Sequence, residues 1–166
     1  VPQLIAVMGV SGSGKTTVGA ALAQRLRVPF GDADDFHPQA NIDKMSAGIS
    51  LDDADRTPWL AAIGAWLAAH SADGGVISCS ALKRDYRDIL RAAAPTTVFV
   101  HLAGDQEVVR KRVAGRPGHF MPASLVTTQF ATLEPLDPDE TGIEIDLDQP
   151  VDRIVEAYLH AAVEDL

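Results

Sequence analysis

Leu4-Ile5-Ala6-Val7-Met8 runs directly into Gly9-Val10-Ser11-Gly12-Ser13-Gly14-Lys15-Thr16, and this junction of an apolar pentapeptide with the pattern GxxxxGK[ST] decides the fold. A buried strand, a glycine-rich turn and a helix N-terminus in that order make a cradle for phosphate. Glycines at 9, 12 and 14 let the backbone come close to phosphate oxygens with successive N–H groups turned inward. Ser11, Ser13 and Thr17 belong to the same cradle. Lys15 sets a point charge on the β and γ phosphates, and the Thr16 hydroxyl is suited to a magnesium ion. The helix that begins near Lys15 adds its positive end. A glycine-rich turn without a ligand would explain the glycines but not the Lys-Thr pair.

Outward from the loop, apolar runs of strand length alternate with helical patterns, the signature of a parallel sheet covered on both faces. The expected fold is α/β, a P-loop NTPase with a five-stranded parallel sheet flanked by helices. Strands are predicted at 3–8, 29–32, 76–80, 97–102 and 144–147. Helices are predicted at 15–27, 38–47, 82–93, 105–113, 122–133 and 150–164. Residues 52–69 are helical too, but Pro58 leaves two readings: Thr57 caps a helix with Pro58 at its first position, or one helix begins near Asp53. Gly115-Arg116-Pro117-Gly118 breaks the chain abruptly and suits a lid over 115–122. The segment 35–60 is an insertion on the substrate side.

The chain has 166 residues, 46% of them hydrophobic, which suits one domain spanning 1–166 and excludes a disordered polymer. Its net charge of −9, from 14 Lys and Arg against 23 Asp and Glu, argues against a nucleic-acid partner. The lone Cys79 lies in an apolar run and reads as a buried thiol of a reducing compartment. No basic leader precedes the first apolar run, and no run reaches spanning length, so no membrane partner and a soluble, cytoplasmic protein are expected. Numbering that opens on Val1 rather than Met leaves the native N-terminus open.

Asp32 and Asp34 follow the second strand, two residues apart, and project to one side if the strand geometry persists. At the carboxyl end of a sheet, such a pair divides the labour. Asp32 holds a magnesium-bound water, while Asp34 accepts the proton of a hydroxyl attacking the γ phosphate. The plainer alternative is a solvated acidic loop capping the next helix. Arg112 and Arg116 share a helix face at i,i+4 spacing. Arg112 is assigned to the nucleotide and Arg116 to the transferring phosphoryl group, whereas Arg110 and Lys111 suit a solvated basic face. Lys83, Arg87 and Arg56 gather cations beyond strand ends and suit an anionic small molecule, with Arg56 and Arg87 the better matches for a carboxylate. His37 and His119 flank the two catalytic segments. No zinc-ligand spacing occurs.

These motifs together resemble the gluconokinases, a branch of the shikimate-kinase-like P-loop kinases. The resemblance rests on the loop at 9–16, Asp32-Ala33-Asp34 with His37-Pro38, Asn41-Ile42-Asp43-Lys44-Met45 and Asp53-Ala54-Asp55-Arg56-Thr57-Pro58-Trp59-Leu60. It continues through Cys79-Ser80-Ala81-Leu82-Lys83-Arg84-Asp85-Tyr86-Arg87-Asp88, Gly118-His119-Phe120, Gln129-Phe130-Ala131-Thr132-Leu133-Glu134 and Asp146-Leu147-Asp148-Gln149-Pro150. It implies ATP-dependent phosphorylation of D-gluconate at its 6-hydroxyl, magnesium as cofactor and a cytoplasmic homodimer. It further implies catalytic roles for Lys15, Asp34 and Arg116, and gluconate contacts from Asp34, His37, Arg56, Lys83, Arg87, His119 and Gln129. Asp148, Gln149 and Pro150 resemble the adenine-side turn.

Three alternatives stand against this reading, of which nucleoside monophosphate kinases fit less well because their base-reading loops are not recognisable. Shikimate kinase shares the two aspartates, but it would want a glycine-rich turn where this chain has Ser80-Ala81-Leu82-Lys83. A nucleotide-dependent switch of GTPase type would need an NKxD motif, and the single Asn41 stands in Asn-Ile-Asp-Lys.

Overall fold

In a computed structural model that describes residues 3–114 and 123–164, the five expected strands form one parallel sheet. They are β1 (Leu4–Met8), β2 (Phe30–Asp32), β3 (Gly75–Ser78), β4 (Val98–Ala103) and β5 (Gly142–Asp146), in the spatial order β2-β3-β1-β4-β5. All five residues of β1 are buried, as its unbroken apolar run requires of a strand covered on both faces. The register pairs Val7 with Ser78 on one side and with Val100 on the other. The carboxyl ends of β1, β2 and β3 therefore open at one edge, where ligands bind in open α/β sheets.

The helices are α1 (Lys15–Leu26), α2 (Gln39–Ser46), α3 (Asp53–Ala69), α4 (Arg84–Ala93), α5 (Gln106–Ala114), α6 (Ala123–Thr132) and α7 (Val151–Glu164). Two cores lie on the two faces of the sheet. One joins Val18 and Leu22 of α1, Val109 of α5 and Ile154 and Tyr158 of α7 to Ile5, Val7 and Val100. The other sets Trp59, Leu60, Ile63 and Leu67 of α3 and Leu90 of α4 against Leu4, Ala6, Ile77 and Phe99.

The choice at Pro58 falls to the second reading. The Asp52 carboxylate accepts from the Asp55 N–H at 2.8 Å, and the Asp55 carboxylate accepts from the Asp52 N–H at 3.0 Å. This reciprocal cap starts α3 at Asp53 and leaves Pro58 inside the helix. The strand geometry expected to carry Asp32 and Asp34 side by side ends at Asp32. Ala33–Phe36 forms a 3₁₀ turn instead, capped by the Asp32 carboxylate, which accepts from the Asp34 N–H at 3.0 Å. The turn after β3 takes the left-handed conformation at Ala81, φ 44°, a position that favours glycine.

No helix among the described residues is long and apolar enough to cross a membrane. Cys79 is buried, and burial pushes its thiol up to about 12, so it stays protonated and inert.

Candidate active site

The phosphate loop closes against its neighbours through contacts that use up some of its polar groups and leave others. Gly12 has φ +85°, and a Cβ there would stand 2.7 Å from Val113 of α5, so this position tolerates glycine alone. The Lys15 ammonium donates to the Val10 carbonyl at 3.0 Å, folding the side chain back over the loop. The N–H groups of Gly12, Gly14 and Thr16 donate to no backbone acceptor among the described residues. The Ser13 hydroxyl is buried and likewise lacks a hydrogen-bond partner there. Helix N-termini leave such donors over by construction, and an anion satisfies them.

Two features of the loop escaped the sequence. Gln129, expected on the acid side, reaches from α6 to the loop itself: its Oε1 accepts from the Ser11 N–H at 2.6 Å, and its Nε2 donates to the Ser11 hydroxyl at 3.0 Å. The second is how Arg112 is held. It lies beside Gly14 and donates to the Leu147 carbonyl at 2.5 Å, joining α5 to the turn after β5. In that turn the Asp148 N–H and the Gln149 side-chain amide both donate to Asp146, each at 2.8 Å, and Pro150 leads into α7.

Asp32 and Asp34 open onto the same cavity as Lys15, Thr16 and Thr17, with a volume of about 780 Å³. The Thr16 hydroxyl donates to the second Asp32 oxygen at 3.3 Å, so a hydroxyl and a carboxylate from different elements meet beside the loop. The Asp34 carboxyl is raised above the usual carboxylate range, by desolvation first and then by the neighbouring Asp32 charge, with Lys15 and His37 offsetting part. A carboxylate poised upward in this way is a better proton acceptor than one at the ordinary value.

Arg56 lines the far wall, with Lys83 close by. Arg56 of α3 lies 3.4 Å from the Tyr86 hydroxyl, and Lys83 stands over the Tyr86 ring at 5.5 Å. Tyr86 in turn donates to Asp53 at 2.6 Å. Neither Tyr86 nor Asp53 was singled out from the sequence, because their roles depend on α3 and α4 packing side by side. Arg87 requires a correction. It is 0% exposed, paired through two nitrogens with Glu140 at 2.7 and 3.0 Å, and it donates to the Ala81 carbonyl at 2.9 Å. Its donors are spent on protein groups, so Arg87 holds the turn after β3 and does not face a ligand. Arg116, His119 and the expected lid at 115–122 lie outside the described residues.

His37 completes the wall, its ring stacked on Trp59 with centroids 4.5 Å apart and planes within 5°. Burial lowers its pKa, partly opposed by Asp34. The arrangement places a phosphate cradle, a proton-accepting carboxylate and a cationic corner around one cavity. Those are the parts a phosphoryl transfer to a hydroxylated anion needs.

The chain is similar to known kinases. Residues 11–129 match the family model described as shikimate kinase. A gluconokinase of Gluconobacter oxydans is 45% identical over 167 residues, covering 99% of this chain and 94% of the relative. The crystal structure of a gluconokinase from Sinorhizobium meliloti 1021 superposes with a TM-score of 0.89 at 49% identity, covering 99% of this chain and 95% of that one. Shikimate kinase from Aquifex aeolicus superposes at TM-score 0.67 with 17% identity, covering 98% of each chain, a likeness of fold alone.

Proposed function

The chain belongs to the gluconokinase family of shikimate-kinase-like P-loop kinases, and on that premise we propose that it phosphorylates D-gluconate at the 6-hydroxyl, converting ATP to ADP. The observation that carries the reading is the shared cavity: Lys15, the raised carboxyl of Asp34 and Arg56 all line it. The loop N–H groups and Lys15 hold the β and γ phosphates. Asp34 takes the proton of the 6-hydroxyl as that oxygen bonds to the γ phosphorus and the bond to the β–γ bridging oxygen breaks. Arg56 and Lys83 receive the carboxylate, and Tyr86 holds them at the right depth. Arg112 and the turn at Asp148, Gln149 and Pro150 take the adenine side. Arg116 is assigned to the transferring phosphoryl group, and His119 to the acid, by family likeness.

Magnesium fits the donors that meet at Thr16 and Asp32, since hydroxyl and carboxylate oxygens are hard ligands and this ion keeps much of its shell for water and phosphate. When bound, it neutralises charge on the phosphate oxygens. We also infer one domain over 1–166 with a lid near 115–122 and a substrate-side insertion near 35–60. A homodimer in the cytoplasm completes the reading, supported by family likeness.

ADP release measured in parallel with gluconate, shikimate and nucleoside monophosphates tests the assignment. Turnover with gluconate alone is expected. Gluconate giving no more ADP than the ATPase background would sink it, and preference for shikimate would establish the alternative.

A further inference from the structure

Asn41 of α2 is 3% exposed, a polar side chain buried next to His37, which lines the cavity. Its Nδ2 donates to the Asp55 backbone carbonyl at 2.9 Å and lies 3.2 Å from Nδ1 of His37. The first contact settles the amide's orientation, because a backbone carbonyl only accepts, so the atom facing it is the nitrogen. The same nitrogen then presents its second hydrogen to His37. Nδ1 must accept, and the ring proton belongs on Nε2. Ring position is equally constrained: His37 stacks on Trp59, whose own Nε1 donates to the Ala33 carbonyl at 2.7 Å. Nε2 has no hydrogen-bond partner among the described residues, and His37 lines the cavity with Asp34.

We propose that Asn41 is a positioning residue that holds His37 as the neutral Nε2–H tautomer, so that the ring offers one donor and no acceptor to a hydroxyl oxygen of the bound polyol acid. The proposal rests on the gluconate reading of this cavity. It adds a rule for specificity: a hydroxyl that accepts from Nε2–H keeps its own proton pointing away from the ring, which fixes the direction of the hydrogen-bond chain along a polyol. It also protects the proton acceptor. An imidazolium at His37 would pair with Asp34 and reduce its basicity, and the Nδ1–H of that imidazolium would meet the Asn41 N–H head on. The charged groups facing His37 are Asp34, which favours the imidazolium, and Arg56, which opposes it. Asn41 decides between them.

The ring nitrogens of His37 report the tautomer directly in the ¹⁵N NMR spectrum of the full chain without substrate. A protonated Nε2 and a bare Nδ1 at neutral pH are expected. A protonated Nδ1, alone or with Nε2, would overturn the proposal. N41D replaces the donor by an acceptor, so the proton should move to Nδ1, and KM for gluconate should rise about tenfold, the worth of one hydrogen bond, with KM for ATP within about twofold. Unchanged gluconate KM, or an equal rise for ATP, counts against it. H37F keeps a ring on Trp59 without nitrogens and should give the same gluconate-specific rise, with N41D adding nothing further in that background. The spectrum of the unaltered chain needs neither substrate nor variant, so it separates failure of the tautomer from failure of the gluconate reading.

Discussion

Asp34 answers to two demands that conflict, since desolvation raises its carboxyl toward a useful basicity and makes its charge costly to fold around. Asp34→Asn removes both. Turnover should fall by at least a factor of about 10², the usual worth of general base catalysis, while nucleotide still binds and the melting temperature stays level or rises. Unchanged kcat would remove Asp34 from the proton transfer. Arg87 makes the opposite case. Its type and place suggested a carboxylate ligand, but no sequence pattern told that Glu140, 53 residues on, would return to meet it. Glu140→Gln leaves a buried guanidinium without its counter-charge and should cost on the order of 3–5 kcal/mol in denaturant unfolding. A change in gluconate KM with unaltered stability would contradict the structural role. That Lys15 and Thr16 lie in one phosphate loop was legible because local spacing alone defines it, whereas Asp34 reaches the same cavity on a 3₁₀ turn that strand alternation did not predict. The roles of Tyr86, Asp53 and Gln129 were not legible, because each acts through an element distant in the chain.

At the scale of elements, strands and helices read well because each buries an apolar face of its own period, and β1 needed only its five apolar residues. What local pattern left undecided was settled by side-chain caps, as at the start of α3, where Asp52 and Asp55 close on one another. Asp52→Ala should lower stability by about 1 kcal/mol, measured by urea unfolding. The α6 helix was expected from its pattern, but its hold on the loop was not. Gln129→Ala leaves the Ser11 N–H and hydroxyl without their partner, so KM for ATP should rise several-fold, and a rise confined to gluconate would return Gln129 to the acid side.

Across the whole molecule, the acid limits of activity and of folding separate. Asp34 must be ionised to accept a proton, and its raised pKa sets the acid limb of kcat/KM above the ordinary value of 3.8. Glu140 behaves in the other sense: burial opposes its charge, but hydrogen bonds from Arg87, the Asp137 N–H and Arg91 prevail and lower it to about 2 from an ordinary 4.5. A depressed folded-state pKa gives stability that is complete above the unfolded value and is lost as pH falls through the folded one. Activity should therefore decline on acidification while circular dichroism still reports a folded chain. Coincident loss of both would mean that unfolding sets the acid limit. The central claim is that this cavity moves a phosphoryl group from ATP to the primary hydroxyl of a sugar acid. The proton-coupled ³¹P NMR spectrum of the product formed from ATP, magnesium and D-gluconate tests it most directly. A triplet is expected, from phosphate on a CH₂ carbon, whereas a doublet from a secondary carbon, or no sugar phosphate at all, would contradict it.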